Sequence, residues 1–273
     1  MPELICPVCK ETLARSDGAY KCPRGHSYDI ARQGYVNLLM SNASSAKRHG
    51  DDKLMVSART DFLDKGYYDP LRDAICESAV KYCAGETRLL DVGCGEGRYT
   101  AAVKDALIRA GGSCSACGID ISRSALIAAS KRDPDLTLAV ASVNALPVGN
   151  SSCDLLLNVF APECYEEFGR VLKSGGILIR AVPLEDHLMG LKKAIYESAY
   201  LNQTPRCSPD GFTLLDRVEI RSDLELDEPE EIKNLFMMTP YYYKTGREGQ
   251  KKLFEMKELN TEISFCVFVL KKN

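Results

Sequence analysis

The central part of the chain alternates between short apolar runs and segments whose apolar side chains recur at helical spacing. An apolar run at residues 89–92 leads into a glycine-rich stretch, and residues 99–107 then show the spacing of a helix. A second apolar run follows at residues 117–121. This order of strand, helix and strand predicts an α/β fold with a parallel sheet over residues 86–183.

Further elements are predicted on both sides of this core. The pattern indicates two helices before it, and one helix, a long strand, two short helical stretches and a final strand after it. The predicted ranges are 51–63 and 68–82 for the first two helices, 185–200 for the third, 212–226 for the long strand with an interruption at Arg217, 229–238 and 246–259 for the short helices, and 262–270 for the last strand.

The loop after the first apolar run has the pattern D-x-G-x-G-x-G over residues 91–97. Alternate glycines let a ligand touch the main chain, and a strand-to-helix corner is where open α/β sheets bind nucleotides. Asp120 ends the second apolar run and is suited to bind both hydroxyls of a ribose, which fits NAD as well as an adenosine-containing methyl donor. Asp91 and Glu96 favour the methyl donor, because their charges repel a pyrophosphate and attract a sulfonium and an ammonium.

A second motif lies near the N-terminus, where Cys6-x2-Cys9 is followed after twelve residues by Cys22-x3-His26. Three thiolates and one imidazole at these spacings can meet at one tetrahedral point, which is typical of a structural zinc site. Unpaired buried cysteines are one alternative. Disulfides are another, but three cysteines would leave one without a partner. The spacing therefore predicts that zinc binds here.

The zinc motif and the sheet divide the chain into three parts. Residues 1–35 are too few to bury a core of their own, so zinc would hold them together. Residues 36–85 form a helical linker whose first residues are apolar and then become small and polar, and residues 86–273 form the main domain. No secretory start and no apolar run of membrane-spanning length is present, and most other cysteines fall in apolar runs. We therefore expect a cytoplasmic protein that does not enter a membrane.

The charge of the chain is unevenly distributed. A net charge of −3 argues against general coating of nucleic acid, yet lysines and arginines outnumber acids in the first sixty residues. Together with Tyr20, Tyr28 and Tyr35 as stacking side chains, they predict a zinc module with a basic face for RNA. The alternative is that these charges only solvate the module. The basic residues are Lys10, Arg15, Lys21, Arg24, Arg32, Lys47, Arg48, Lys53 and Arg59.

Three segments resemble successive motifs of the class I S-adenosylmethionine-dependent methyltransferases, namely LLDVGCGEGRYT, GIDIS and VASVNALPVGNSSCDLLLNVFAP. The resemblance implies a Rossmann-like, mostly parallel sheet with an antiparallel last strand. It also implies S-adenosylmethionine as cofactor. In this family, the glycine loop holds the methionine part, the acid of the second strand holds the ribose, and the loop after the third strand flanks the adenine. The corresponding residues are Asp91, Gly93, Gly95, Glu96 and Gly97 for the loop, Asp120 for the ribose, and Ser142 and Asn144 for the adenine.

A closer resemblance covers the whole chain. The segments CPVC, CPRGHSYDIARQGYVNLL, RTDFLDKGYYDPL, HLMGLK and MTP resemble the bacterial 23S rRNA guanine-N1 methyltransferases. The resemblance implies methylation of N1 of a guanine in a hairpin of 23S rRNA. It further implies a zinc module that helps to recognise that RNA, and a homodimer. Tyr68 and His187 would join the cofactor pocket.

The chemistry of guanine N1 directs attention to two carboxylates. N1 carries a proton in the neutral base, so a general base within reach would assist methyl transfer, although positioning should supply most of the acceleration. Glu163 follows the fourth strand and is the first candidate, with Asp186 as its rival. Phe160 could stack on a flipped guanine or pack in the core, and we expect the core.

Two other classes of protein remain possible on the residues alone. A methyltransferase for a small molecule, such as a quinone precursor, would share the central domain but would give no reason for a basic zinc module. A non-catalytic zinc-containing RNA-binding protein would explain the module but would leave the glycine loop without a use.

Overall fold

The computed structural model describes residues 1–40, 50–203, 207 and 209–273. Lys47 and Arg48, counted above among the basic residues, lie outside the described residues. The strands are β1 (Ala14–Ser16), β2 (Ala19–Lys21), β3 (Ser27–Asp29), β4 (Tyr35–Asn37), β5 (Glu86–Val92), β6 (Ser113–Asp120), β7 (Thr137–Val140), β8 (Cys153–Val159), β9 (Leu172–Pro183), β10 (Phe212–Leu226) and β11 (Leu259–Lys272). The helices are α1 (Lys53–Asp64), α2 (Asp69–Tyr82), α3 (Arg98–Arg109), α4 (Arg123–Arg132), α5 (Tyr165–Val171), α6 (Met189–Ile195), α7 (Pro229–Met237), α8 (Tyr241–Lys244) and α9 (Arg247–Phe254).

Eight strands form one central sheet in the order β10-β11-β9-β8-β5-β6-β7-β4. All neighbours from β9 to β4 are parallel, whereas β11 runs antiparallel to both β9 and β10. The predicted Rossmann-like sheet with an antiparallel last strand is confirmed. The irregularity in β10 lies between Leu214 and Asp216, just before the predicted position at Arg217.

The N-terminal segment is part of this architecture in two ways. Strands β1 to β3 form a small antiparallel sheet of their own. Strand β4 instead extends the central sheet by pairing with β7, so the first residues of the predicted linker lie at the sheet edge. We call residues 1–34 the zinc module.

The two faces of the central sheet are covered differently. One face packs against α1 to α4, α6, α7 and α9, which together build the first core. The opposite face packs against α5 and against the zinc module, whose Leu4, Leu13 and Tyr20 are buried in this second core. The connection from β7 to β8, which is described throughout, contains no helix. The zinc module therefore covers sheet surface that a crossover helix would cover in a regular doubly wound fold.

Backbone hydrogen bonds attach the zinc module to that connection. The N–H of Ile5 donates to the carbonyl oxygen of Pro147 at 2.9 Å, and the N–H of Gly149 donates to that of Glu3 at 2.8 Å. Leu4 and Val148 form a β-bridge between these contacts. The module is thus joined to the sheet by main-chain pairing as well as by apolar packing.

The strand order creates a reversal point at the centre of the sheet. Strand β5 lies between β8 and β6, so the connections leaving the carboxyl ends of β5 and β8 diverge there. Ligands of open α/β sheets bind at such a point. None of the helices in the described part of the chain is long and apolar enough to cross a membrane.

Candidate cofactor and zinc sites

The four predicted metal ligands converge at one point in the zinc module. Ligand atoms of Cys6, Cys9, Cys22 and His26 all lie within 4.8 Å of one another. His26 Nδ1 is 3.5 Å from Cys6 Sγ and 3.4 Å from Cys22 Sγ, and the sulfurs of Cys9 and Cys22 are 3.6 Å apart. Ligands of tetrahedral zinc at the usual bond lengths stand roughly 3.5–3.8 Å apart. This donor set fits a structural zinc ion.

Neighbouring groups favour the thiolate form of Cys6. The Tyr28 hydroxyl lies 3.1 Å from Cys6 Sγ. Burial raises the pKa of Cys6, but hydrogen bonds from Tyr28 and from the backbone of Cys9 and Val8 outweigh it and lower the pKa to about 6. Such second contacts orient and tune metal ligands, and they give Tyr28 a structural role at the zinc site.

The prediction that Tyr20, Tyr28 or Tyr35 is exposed for base stacking is wrong for Tyr20, and the other two are half-buried. Tyr20 is 5% exposed and packs in the second core. Tyr28 is half-buried against Cys6, and Tyr35 is half-buried against the first core. Alternation of polar and apolar residues in such short strands does not reveal that the sheet lies beneath them.

The basic charge assigned to the N-terminus is also divided between regions. Lys53 and Arg59 lie on α1 and do not belong to the zinc module. Residues 1–34 contain five basic and four acidic side chains, so the net charge of the module is close to zero. Arg24 pairs with Glu11 at 3.5 Å and Lys21 with Asp17 at 3.9 Å. The excess of basic residues among the first sixty therefore does not lie mainly on the zinc module, and its basic face for RNA stays a prediction.

The glycine loop lies at the carboxyl end of β5, and its glycines are required by the space around them. Gly93, Gly95 and Gly97 all have positive φ angles, which other residues rarely adopt. A Cβ on Gly93 would lie 2.3 Å from Cβ of Ala161, and one on Gly97 would lie 3.0 Å from Cβ of Ala129. Gly97 precedes α3, so the loop leads directly into a helix N-terminus.

Two buried carboxylates accompany this loop. Asp91 Oδ2 accepts a hydrogen bond from Thr100 Oγ1 at 2.5 Å, whereas its Oδ1 has no partner among the described residues. Burial raises the pKa of Asp91 to about 7. Glu96 is 4% exposed, and its Oε1 also has no hydrogen-bond partner in the described part of the chain. Burial raises the pKa of Glu96, and Arg59 opposes this rise.

Asp120 lies at the carboxyl end of β6, beside the glycine loop. Its Oδ2 accepts a hydrogen bond from the N–H of Gly95 at 2.9 Å, and its Oδ1 accepts one from the N–H of Ser122 at 2.7 Å. Burial raises the pKa of Asp120, against the effect of these two bonds. Each carboxylate oxygen can accept a further hydrogen bond, so Asp120 remains suited to ribose hydroxyls.

The adenine segment follows β7, the strand beside β6. Ser142 pairs with Ala145 in a β-bridge, and the N–H of Asn144 donates to Ser142 Oγ at 3.3 Å. Asn144 is exposed, whereas Ser142 is half-buried. The N–H of Ala141 donates to the carbonyl oxygen of Asp120 at 3.2 Å, which holds this loop next to the predicted ribose site.

Tyr68 and His187 come together with two phenylalanines. Ring centroids of Tyr68 and His187 are 6.1 Å apart, both rings contact Phe265, and Phe265 contacts Phe160 at 5.3 Å. The Tyr68 hydroxyl is buried without a hydrogen-bond partner among the described residues. Burial lowers the pKa of His187 to about 3, so the ring is neutral, and its Nδ1 accepts a hydrogen bond from the N–H of Ser264 at 3.2 Å.

Phe160 differs from the prediction that it packs in the core. It directly follows β8, has a φ of +54°, and is 44% exposed. A bulky residue with positive φ is strained, and such residues concentrate at functional sites. The segment that contains it touches the glycine loop through Ala161 and Gly93. Phe160 is thus partly exposed to solvent beside the glycine loop.

The two candidate bases both have charged partners. Glu163 forms an ion pair with Arg180, which is 1% exposed, and accepts a hydrogen bond from the Tyr165 hydroxyl at 2.7 Å. Asp186 accepts bonds from Arg221 at 2.9 and 2.7 Å and from Ser264 Oγ at 2.6 Å. The bond from Ser264, followed by the charge of Arg221, lowers the pKa of Asp186.

Sequence reasoning missed the contribution of the segment before α1 and of α1 itself. Ser122 Oγ donates to the carbonyl oxygen of Asp51 at 2.6 Å, and a Cβ on Gly50 would lie 2.7 Å from Ile121. Arg59 on α1 reaches the glycine loop near Gly95. Arg59 is the first residue of the RTDFLDKGYYDPL segment, but that motif does not indicate these contacts, because they join segments that lie far apart along the chain.

The residues present fit the binding of S-adenosylmethionine. Polar atoms of Asp91, Glu96 and Tyr99, which lie in the glycine loop or flank it along the chain, are buried without hydrogen-bond partners in the described part of the chain, and so is the hydroxyl of Tyr68. Such atoms are costly unless a ligand satisfies them. Two of the groups are carboxylates, which match a sulfonium and an ammonium.

Both parts of the chain match families of known proteins. Residues 4–47 match the family model described as RlmA, N-terminal, and residues 89–176 match that of a methyltransferase domain. The solved structure of YcgJ from Bacillus subtilis aligns with a TM-score of 0.50 at 14% identity, over 74% of this chain and 99% of that one. That likeness concerns the fold alone.

Two curated relatives extend the match. The B. subtilis protein named "Putative 23S rRNA (guanine-N(1)-)-methyltransferase YxjB" is 31% identical over 279 residues, which cover 97% of this chain and 95% of the relative. The "23S rRNA (guanine(748)-N(1))-methyltransferase" of Streptomyces fradiae is 36% identical over 195 residues, or 70% of this chain and 67% of the relative.

Proposed function

Because this chain belongs to the 23S rRNA (guanine-N1)-methyltransferase family, we propose that it transfers a methyl group from S-adenosylmethionine to N1 of one guanine in a hairpin of 23S rRNA. The cofactor supplies an electrophilic methyl group when it is bound. The protein residues bind the cofactor, position the guanine and accept the proton that leaves N1.

One observation carries the acceptor side of this proposal. Phe160 is exposed, strained and placed in a segment that contacts the glycine loop through Ala161 and Gly93. A guanine taken out of its stack could lie on this ring, and base stacking on an aromatic side chain contributes about 1–3 kcal/mol. The ring would then hold N1 close to the methyl donor, where positioning has its largest effect.

Glu163 is the group that we propose to face the edge of the base. The N1–H and the exocyclic amino group of guanine are adjacent donors, and a carboxylate presents two acceptors at matching separation. The ion pair with buried Arg180 and the bond from Tyr165 fix the Glu163 side chain. With its orientation fixed in this way, we assign Glu163 to orientation of the guanine and reception of its N1 proton.

Asp186 is the second candidate for that role. Its carboxylate already accepts three bonds from Arg221 and Ser264, and its lowered pKa makes it a poorer proton acceptor. Asp186 precedes His187, so its bonds also hold the loop that carries the His187 ring. We therefore rank it behind Glu163.

The remaining parts of the proposal concern the cofactor residues and assembly. We assign the methionine part to the loop with Asp91, Gly93, Gly95, Glu96 and Gly97, the ribose to Asp120, the adenine to Ser142 and Asn144, and the closing wall to Tyr68 and His187. We also propose a cytoplasmic homodimer in which the zinc module contributes to RNA recognition, as the family resemblance implies.

The function is tested by methyl transfer onto protein-free 23S rRNA from a strain that lacks this enzyme, with the modified base identified by mass spectrometry. We expect 1-methylguanine at a single hairpin position. Replacement of Phe160 by Ala should lower kcat/KM for RNA by roughly five- to hundredfold, the loss of one stacking contact, with cofactor affinity unchanged. Phe254→Ala is the matched control, since that ring is 40% exposed on α9.

Other outcomes separate the alternative functions. Methylation of small metabolites with none on RNA would indicate a small-molecule methyltransferase. RNA binding without any methyl transfer would indicate a non-catalytic RNA-binding protein. Equal losses in Phe160→Ala and Phe254→Ala would remove the proposed stacking role of Phe160 while leaving the activity itself in place.

A further inference from the structure

Arg59 is a charged residue of α1 that lies against the glycine loop. Its Nη1 is 3.7 Å from the point that a Cβ on Gly95 would occupy, and its side chain is 25% exposed. Nη1 also forms an ion pair with Asp51, while Nη2 donates to the carbonyl oxygen of Met238 at 3.2 Å. The guanidinium is therefore held over the loop by partners from two distant segments.

S-adenosylmethionine carries a carboxylate as well as two cationic groups, so a cationic side chain beside the acids of the glycine loop would help to bind it. The methionine part of S-adenosylmethionine carries a sulfonium and an ammonium, which Asp91 and Glu96 would attract, and one carboxylate, which the same acids would repel. Arg59 lies close enough to oppose the burial-driven rise in the pKa of Glu96 and of Asp120. It is thus within electrostatic reach of Glu96 in the loop and of Asp120 beside it.

The other arginines near Glu96 have different contacts. Arg98 donates to Asp64 at 3.0 Å and also pairs with Asp69. Arg132 donates to Asp64 at 2.9 Å and to the carbonyl oxygen of Glu96 at 3.2 Å. Of these three arginines, Arg59 is the one that lies against the main chain of Gly95, where a ligand can approach closely.

We propose that Arg59 binds the carboxylate of the methionine part of S-adenosylmethionine and thereby selects the complete cofactor. A guanidinium has five N–H donors, so Arg59 can hold a carboxylate in a bidentate manner while it keeps its bond to Met238. Asp51 shares or releases the guanidinium when the cofactor is bound. The inference rests on the proposed methyl donor and is independent of the RNA acceptor.

The test measures binding without RNA, by isothermal titration calorimetry with two probes: S-adenosylmethionine and decarboxylated S-adenosylmethionine. Arg59→Gln should weaken binding of the complete cofactor by roughly ten- to hundredfold, the effect of one charged hydrogen-bonded pair. Its affinity for the decarboxylated probe should equal that of the unmodified protein. Arg59→Lys should fall between the two, because it retains the charge without the planar fork.

Arg72→Gln is the matched control. Arg72 is 29% exposed and pairs with Asp69 and Asp73 on α2, so its removal should change neither affinity. Equal weakening of both probes in Arg59→Gln would overturn the inference and assign Arg59 to packing of α1. Absence of binding by either probe to the unmodified protein would instead count against the methyl donor itself, so the two failures are distinguishable.

Discussion

The zinc site and the cofactor site show two ways in which a chain builds a ligand site. The zinc site uses four side chains from the first 26 residues, and their ligand atoms already stand at distances suited to a metal ion. The proposed cofactor site draws on α1, on Tyr68 just before α2, on the loops after β5, β6 and β7, and on the segment after β9. It retains buried polar atoms without hydrogen-bond partners among the described residues.

The difference has a physical reason. A structural metal contributes to folding, so its ligands are arranged to be complete once the ion binds. A cofactor that enters and leaves must find groups whose hydrogen bonds it can complete, and such groups raise the energy of the protein without ligand. The zinc site therefore stabilises the fold, whereas the cofactor site reduces its stability until the ligand is bound.

The largest predicted effect comes from breaking the zinc site. Cys22→Ala should lower the unfolding temperature of the whole protein by roughly 10–20 °C, since the zinc module covers one face of the central sheet and its loss costs several kcal/mol. Calorimetry with zinc quantification checks this. Cys153→Ala, which removes a buried thiol from the same second core without touching zinc, should have a much smaller effect.

An unchanged unfolding temperature in Cys22→Ala would break the comparison. It would mean that the zinc module is an independent appendage and that the sheet is stable without it. Loss of cofactor affinity in the same variant would point the other way and would extend the influence of zinc to the cofactor site.

A smaller effect of opposite sign is predicted at Asp91. Its folded pKa of about 7 lies well above the ordinary value of about 4, so the folded protein holds a proton over this interval that the unfolded chain has released. The free energy of unfolding should therefore fall as pH rises from about 4 to 7. Asp91→Asn should remove this loss, stabilise the ligand-free protein by a few kcal/mol at pH 8, and weaken cofactor binding.

Denaturant unfolding of both proteins at several pH values provides the measurement. In the unmodified protein, cofactor affinity should rise as pH increases through about 7, because Asp91 must ionise to attract the cationic groups.

Asp154→Asn gives the contrasting control. Lys173 and Arg88 lower the pKa of Asp154 despite its burial, so its contribution is present at neutral pH and lost in acid. Equal pH profiles for the two variants would refute the assignment.

The contrast between the sites also explains what sequence could predict. All four zinc ligands follow from local spacing, as do the glycine loop and Asp120, because each motif is contained in one turn or one strand end. Arg59 appeared in the sequence as one of nine basic residues near the N-terminus and as the first residue of the RTDFLDKGYYDPL segment. Its proximity to Gly95 depends on how α1 packs against the loop, which no periodicity encodes.

Surface exposure was the least predictable property. Phe160 follows an apolar strand and would pack in the core by its type, yet it has a positive φ and is 44% exposed. Tyr20 belongs to a short polar-looking strand, yet it is buried by the central sheet. Both errors arise from contacts between segments far apart in sequence, since local pattern reports which residues are apolar and does not report what lies over them.

The smallest effect is predicted for charges on the zinc module. The zinc module contains five basic and four acidic residues, and Arg24 is paired with Glu11. We therefore expect Arg24→Gln to weaken binding of a 23S rRNA hairpin transcript by less than about threefold. The salt dependence of binding should barely change. A loss above tenfold, with the slope of log affinity against log salt reduced by about one, would show that Arg24 neutralises a phosphate. The zinc module would then bind the RNA substrate directly. Like the cofactor site, it would have a role that depends on a ligand that binds and leaves.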